Sequence, residues 1–302
     1  MPTRLSRRAF LTMTAGAALV AAGCGSDKPG TVADDGSVTV MHVFGETRIP
    51  APPTRVVSAG LTGQDDLLAL GVVPIAVTDW FGGEPFAVWP WAQPKLGGAQ
   101  PTVLNLADGV PVDQIAALRP DLIVATNAGL DQDTYTKLSA IAPTVAQSGR
   151  DAFFEPWKDQ ASTIGQAVFK HDEMRALIAS VEAKFTAVAE ANPAFAGTKV
   201  LLLAGRMDGG EPQQLTPPWR SDFLTQMGFA VAAGLADAEL LIWATESDEE
   251  QAALLADPKI AQSGKRNLFA GKELAGAIVF ASPLSYPVVA DRLPARIAQA
   301  LA

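Results

Sequence analysis

The stretch Thr54-Arg55-Val56-Val57-Ser58-Ala59-Gly60 has a close counterpart in Thr198-Lys199-Val200-Leu201-Leu202-Leu203-Ala204-Gly205. In both, a basic residue precedes an apolar run that ends in Ala-Gly, the pattern of a buried strand that enters a tight turn. A short amphipathic segment follows each turn, at residues 65–71 and 222–228. An acidic residue near its start and a glycine at its end are typical of a helix. The two halves of the chain therefore share one plan.

A second pair of apolar runs supports this plan. Residues 122–126 and 241–245 each form a predicted buried strand, which is followed by an acidic loop and a helix. Strand, helix, strand and helix in each half indicate the α/β class. We predict two lobes with mostly parallel sheets.

The second lobe is shorter than the first. Leu122 follows Gly71 by 51 positions, whereas Leu241 follows Gly228 by only 13. This difference leaves no room for one strand and one helix that the first lobe can accommodate. We therefore predict a shortened second lobe.

Residues 154–192 carry no strand signal, and their apolar residues recur at helical spacing. The series is Trp157, Ala161, Ile164 and Val168, then Met174, Leu177, Ile178, Val181, Phe185 and Val188. The second run covers about 20 residues, or ~30 Å of helix, enough to cross the back of both lobes. We predict a long α-helix that joins lobes at 37–153 and 193–302 and limits their relative movement to a few degrees.

The N-terminus predicts export and anchoring. Residues 1–23 are basic, then apolar, then small, and the apolar part is too short for a stable membrane span, which indicates a cleaved signal. Ser6-Arg7-Arg8-Ala9-Phe10-Leu11 resembles the twin-arginine export motif. The small residues before Cys24 resemble a lipobox, in which the thiol is lipidated; the alternative is a cysteine without function behind an ordinary signal. Residues 24–36 are predicted to be a flexible tether.

Composition excludes several classes of protein. The chain has 302 residues and a net charge of −9, which becomes −12 without residues 1–23, so a nucleic-acid partner is not expected. Its single cysteine and two histidines, His42 and His171, exclude a disulfide framework and a Cys/His zinc cluster. The chain contains no nucleophile elbow, P-loop, dinucleotide fingerprint or zincin motif. We therefore predict no enzymatic activity, metal site or cofactor.

Loops after parallel strands are where α/β sheets bind ligands. Trp80 and Phe81 follow a predicted strand and are candidates for packing against a flat ligand. In the second half, Arg206 follows a strand directly and Trp219-Arg220 precede a helix. Arginine offers a fixed fork of donors for anionic oxygens and stacks on aromatic rings. Together with Tyr286, these are the predicted ligand-binding residues, with surface salt bridges as the alternative for each arginine.

Several motifs resemble the iron-siderophore solute-binding lipoproteins of ABC importers, which are helix-linked, class III periplasmic binding proteins. The matching stretches are residues 42–50, 53–57, 67–72, 118–124 and 138–145, and the resemblance covers about residues 38–302. It implies a ferric siderophore in the cleft between the lobes and delivery to a membrane permease. In the family an acidic residue on each lobe docks to the permease. Asp65 occupies the matching position of the first lobe, while the segment for the second lobe is missing.

The resemblance predicts an extracytoplasmic, lipid-anchored, monomeric protein that binds a ferric siderophore. Two alternatives share the fold: a binding protein for haem or a corrinoid, and a cell-envelope partner protein that has lost transport. Haem would usually need an axial His or Tyr at the cleft, and neither histidine lies near a predicted cleft loop. An enzyme that hydrolyses siderophores is the weakest alternative, since no nucleophile is paired with a base.

Overall fold

The structure is a computed structural model that describes residues 30–302. The predicted signal, Cys24 and the first part of the predicted tether lie outside the described residues. The strands in the described range are β1 (Val38–His42), β2 (Gly45–Ile49), β3 (Val56–Ser58), β4 (Ala76–Asp79), β5 (Thr102–Asn105), β6 (Leu122–Ala125), β7 (Thr144–Ala146), β8 (Lys199–Asp208), β9 (Glu211–Gln214), β10 (Ala230–Val231), β11 (Leu240–Ala244) and β12 (Arg266–Phe269).

The α-helices of the same range alternate with these strands. They are α1 (Gly63–Ala69), α2 (Val112–Leu118), α3 (Gln132–Ser139), α4 (Trp157–Ala167), α5 (His171–Ala191), α6 (Asp222–Gln226), α7 (Asp248–Ala256), α8 (Pro258–Ala261), α9 (Lys272–Phe280) and α10 (Ser285–Leu301). None of the helices between residues 30 and 302 combines the length and the hydropathy that crossing a membrane requires.

The first lobe is a parallel sheet with strand order β5-β4-β3-β6-β7. Every residue of β6 is buried, because helices cover both faces of the sheet. Leu122 and Val124 pack in a core cluster that contains Ile164 of α4, and the alternate residue Ile123 packs in a second cluster with Ile115 of α2. The predicted α/β class is confirmed.

The second lobe repeats this plan in shortened form. Its sheet has the parallel order β10-β8-β11-β12, which matches β4-β3-β6-β7 of the first lobe, and β9 pairs antiparallel with the end of β8. Between α6 and β11 the described chain holds only the two-residue strand β10. No counterpart of β5 and α2 is present in this part of the chain, so the predicted shortening is confirmed.

The two lobes share one core behind the sheets. The connecting segment consists of α4 and the 21-residue α5, with a break at Phe169, whose φ is +63°. Phe185 of α5 packs in the same cluster as Val56 of the first lobe and Val200 of the second, and Leu293 of α10 belongs to it as well. The lobes are therefore joined by two helices in sequence rather than by one, and the C-terminal helix supports the joint.

The Ala-Gly pairs after β3 and within β8 have a steric cause. A β-carbon built on Gly60 would overlap the carbonyl oxygen of Thr126, and one built on Gly205 would lie 2.7 Å from the carbonyl oxygen of Ala244. In both lobes the glycine lies against backbone at the end of the neighbouring parallel strand. Only glycine fits such an approach. The tight turn predicted after Gly205 is wrong, because β8 continues to Asp208 and enters the β8–β9 hairpin.

Gly60→Ala should destabilise the protein strongly, because the new methyl group would push against backbone rather than a flexible side chain. We expect the free energy of unfolding to fall by ~3 kcal/mol or more, at the upper end of overpacking costs. Urea unfolding followed by circular dichroism measures this. Gly234→Ala is the matched control, since a β-carbon there meets nothing within 4 Å. Equal stabilities of the two variants would contradict the steric account.

Candidate functional site

The candidate site is a small cavity between the lobes, where loops that follow the strands of the first lobe face the second lobe. Its wall includes Thr62 and Asn127 after β3 and β6, Gln160 of α4, and Arg220 and Phe280 of the second lobe. The cavity measures about 10 Å³, which is the room that about one water molecule requires. In this arrangement the cavity therefore has no room for a ligand larger than water.

Aromatic rings of the two lobes contact one another at this interface. Trp80 and Phe81 pack edge to face with ring centroids 4.7 Å apart, and Phe280 of the second lobe lies 5.7 Å from Trp80 and 5.8 Å from Phe81. Trp80 also contacts Phe154 at 5.9 Å. The structure thus places Trp80 and Phe81 between the lobes, where they contact other aromatic side chains of the protein.

Arg220 is a buried cation at the cavity, with 3% of its surface exposed. Its Nη1 donates a hydrogen bond to the carbonyl oxygen of Val279. The guanidinium carbon lies 5.0 Å from the ring centre of Phe154 and 4.9 Å from that of Trp219, whose indole nitrogen donates to the carbonyl of Phe154 at 3.0 Å. Burial lowers the pKa of Arg220 to about 10, so the group is charged at neutral pH. No carboxylate within residues 30–302 lies within ion-pair distance of it, and the charge of Asp151 acts on it from farther away.

Arg206 lies apart from Arg220. It occupies the exposed end of β8, beside the β8–β9 hairpin, and does not line the cavity. Its charge acts on Glu246, as does that of Lys272. The structure therefore brings Trp219 and Arg220 together at the cavity and leaves Arg206 outside its lining.

Two of the residues that the sequence predicts for ligand binding or docking are buried in this arrangement. Tyr286 has 1% of its surface exposed and lies in the core among Trp157, Phe185 and Phe223 rather than at the cleft. Its burial raises the pKa of the phenol. Tyr286 therefore contributes to core packing here, and its ligand contact stays a prediction.

Asp65 cannot dock to a permease in this arrangement, because its exposed fraction is 0%. Its Oδ2 accepts hydrogen bonds from the indole nitrogen of Trp91 at 2.8 Å and from the hydroxyl of Ser282 at 2.6 Å. Ser282 belongs to the second lobe, so Asp65 links the lobes. The helix position that the resemblance assigns to docking is turned inward here.

A second buried carboxylate adjoins Asp65. Asp66 Oδ2 accepts a hydrogen bond from Gln160 at 2.6 Å, and its other oxygen has no partner among the described residues. Burial raises the pKa of Asp65 to about 6 and that of Asp66 well above its usual range, and the charges of Asp65 and Glu155 raise the pKa of Asp66 further. These carboxyls hold protons more tightly in the folded chain than in the unfolded one.

The residues of the described chain do not provide a metal centre or an axial ligand at the cavity. No group of three His, Cys, Asp or Glu side chains between residues 30 and 302 is arranged to hold a metal ion. His42 Nε2 is hydrogen-bonded to the Thr47 hydroxyl at 2.9 Å, near Tyr135, in the β1–β2 hairpin region. Neither His171 nor any of these side chains lines the cavity.

Sequence reasoning missed several cavity residues. Asn127, two residues after β6, has a φ of +53°. Its side-chain nitrogen donates a hydrogen bond to Gln160 Oε1, and its Oδ1 accepts one from the backbone N–H of Glu155 at 3.1 Å. An asparagine immediately after a buried strand was the available signal. Phe154 and Gln160 carried none, because their role depends on how the second lobe packs.

Asp66→Asn should stabilise the protein at high pH. The pKa of Asp66 is raised in the folded state, so the carboxyl costs no stability at low pH, where it is protonated in both the folded and the unfolded chain. As the pH rises above 3.8 the unfolded chain ionises more readily than the folded one, and the free energy of unfolding falls. The melting temperature of the variant should therefore match that of the parent at about pH 4. At pH 8 it should melt at least ~2 °C higher, a shift that ~1 kcal/mol typically produces.

Thermal unfolding at both pH values measures this difference. Asp172→Asn, on the exposed first turn of α5, is the control and should show no pH-dependent gain. A gain for Asp66→Asn that is equal at both pH values would contradict the assignment of a buried, protonated carboxyl.

A family model described as periplasmic binding protein matches residues 56–258. A putative ABC transporter substrate-binding lipoprotein of Bacillus subtilis is 28% identical over 214 residues, which are 71% of this chain and 64% of that protein. A probable siderophore-binding lipoprotein of the same bacterium is 31% identical over 170 residues, 55% of this chain and 50% of that protein. The chain thus matches between half and two thirds of the length of these relatives.

One solved structure shares more sequence identity with this chain than these two relatives do. The crystal structure of a periplasmic solute binding protein from Mycobacterium smegmatis is 64% identical, with a TM-score of 0.86 over 89% of this chain and 100% of that chain. Two lobes with parallel sheets, joined by helices and enclosing a cavity, are the architecture of a helix-linked periplasmic binding protein. The chain belongs to the periplasmic binding protein family, and the family resemblance found in the sequence is confirmed.

Proposed function

We propose that this protein is a lipid-anchored, extracytoplasmic solute-binding protein that captures a ferric siderophore between its lobes and delivers it to an ABC importer permease. Membership of the periplasmic binding protein family and the likeness to siderophore-binding lipoproteins support the class. The lipobox-like residues before Cys24 support the anchor. We propose that Trp80, Phe81, Trp219 and Arg220 form the ligand-facing part of the cleft and that Arg206 acts at its rim.

The observation that carries the proposal is the charge of Arg220. A buried cation without a paired carboxylate is costly unless an anion compensates it. Its guanidinium lies between two aromatic rings at a cavity shared by both lobes. This arrangement favours an anionic, oxygen-coated solute, such as the ferric complex of a carboxylate or catecholate siderophore, over a neutral hydroxamate complex.

Capture of such a complex requires the cleft to widen. Pockets for small molecules measure about 300–1,000 Å³, whereas this cavity measures about 10 Å³. The rings of Trp80, Phe81 and Phe280 must therefore move apart to admit a ligand. Binding should consequently change the fluorescence of the cleft tryptophans.

A panel of iron-loaded chelators tests the proposal on the full chain in detergent. Anionic ferric complexes should quench tryptophan fluorescence and raise the melting temperature at micromolar concentrations or lower, and the iron-free chelators should do less. Haem and cobalamin are included as separate arms, and binding of either in place of the ferric complexes would favour the corresponding alternative.

Arg220→Gln should weaken binding of an anionic ferric complex by roughly 10- to 150-fold, because one charged hydrogen bond contributes ~1.5–3 kcal/mol. It should leave a neutral complex nearly unaffected. Arg206→Gln is the matched control and should weaken binding less. Because Arg220 also bonds Val279, circular dichroism must first show that the variant is folded. An equal loss for the anionic and neutral complexes would overturn the role of the charge.

One observation favours a second function, that of a cell-envelope partner protein on the same fold. The protein's own aromatic rings contact one another between the lobes, and the cavity beside them is small. If no ferric complex, haem or corrinoid changes the fluorescence or the melting temperature, and an envelope protein co-purifies instead, this second function replaces the first.

A further inference from the structure

The long connection between β4 and β5, residues 80–101, reaches across to the second lobe. Trp89, near its middle, is large and fully buried, with 1% of its surface exposed. A β-carbon built on Gly276, inside α9 of the second lobe, would overlap the Trp89 ring, and so would one built on Gly82 of the connection itself. The indole is therefore held between a glycine of its own loop and a glycine of the opposite lobe.

An ion pair adds a second contact to the same helix. Glu84 Oε1 lies 2.7 Å from Nζ of Lys272, at the start of α9, and the Glu84 side chain is only 14% exposed. The Lys272 ammonium also lies 5.7 Å from the centre of the Trp89 ring. One lysine thus contacts both the acid and the aromatic ring of the connection.

A third contact runs through Trp91. Its ring stacks on Trp89 with centroids 4.9 Å apart and planes 8° apart. Its indole nitrogen donates to the same Asp65 oxygen that accepts from Ser282, just before α10. Three contacts therefore hold this short segment to the second lobe. They are the Glu84–Lys272 ion pair, the packing of Trp89 on Gly276, and the Asp65 oxygen that Trp91 and Ser282 share.

We propose that residues 80–91 form an inter-lobe latch, and that separation of Trp89 from Gly276 is the step that opens the cleft. The shared core behind the sheets keeps the lobes together, so the front contacts are the ones that can separate. The latch also explains the asymmetry of the lobes, since the shortened second lobe supplies the seat and has no equivalent loop in the described chain. Its role in ligand entry rests on the proposed function, but the latch itself can be measured without ligand.

Two variants weaken the latch in different ways. Lys272→Met removes the ion pair with Glu84 and the charge beside Trp89. Gly276→Ala displaces the Trp89 ring, although alanine in the interior of a helix ordinarily stabilises it relative to glycine. Arg292→Met is the matched control. It breaks the ion pair between Arg292 of α10 and Glu273 of α9, and both of these residues belong to the second lobe.

Hydrogen–deuterium exchange of the full chain in detergent, without ligand, tests the latch. In both latch variants the amides of residues 80–91 and of α9 should exchange roughly tenfold faster, a factor equivalent to ~1.4 kcal/mol. Arg292→Met should leave residues 80–91 unchanged. Unchanged exchange of residues 80–91 in Lys272→Met and in folded Gly276→Ala would overturn the latch.

A second measurement separates the latch from the proposed ligand. Stopped-flow fluorescence with ferric citrate and with a ferric catecholate should give faster association in the latch variants than in Arg292→Met. Faster exchange without binding of any ferric complex would support the latch and refute the siderophore proposal. Normal binding of a ferric complex with unchanged exchange and unchanged association rates would support the siderophore proposal and refute the latch.

Discussion

Both lobes are built on one continuous hydrophobic core, and this shared core is the constraint on which the rest of the structure depends. One face of each sheet packs into it, through Val56 in the first lobe and Val200 in the second, and α4, α5 and α10 fill the space between. Pulling the lobes apart at the back would expose this apolar surface to water, which is unfavourable in proportion to its area. Relative movement is therefore confined to the front, where the contacts are aromatic and polar.

The front of the interface combines buried charge with aromatic packing. Arg220 is buried without an ion-pair partner in the described chain, while Asp65, Asp66 and Glu155 are buried nearby with raised pKa values. Protonation relieves the cost of a buried carboxyl, but arginine stays charged at any physiological pH. The cation is thus the group whose environment most favours the arrival of an anion.

The two lobes are similar in plan and unequal in role. The first lobe keeps β5, α2 and the long connection that precedes them, and this connection carries Trp80, Phe81, Trp89 and Trp91 toward the partner lobe. The second lobe lacks that segment and offers α9 with Gly276 instead. Shortening one lobe therefore removes a loop that would otherwise compete for the same interface.

The sequence by itself determined the α/β class, the twinned lobes and the shortened second half, because buried parallel strands, helical spacing and Ala-Gly turns are local patterns. It also located the connecting helices, but not the left-handed backbone at Phe169 that divides them into two. Only the tertiary structure decided that Asp65 faces inward and that Tyr286 is core, because both are buried by residues distant in sequence, Ser282 and Phe185. Local patterns report which residues are apolar and how often they recur, but the space between two lobes is defined only once both have folded and packed.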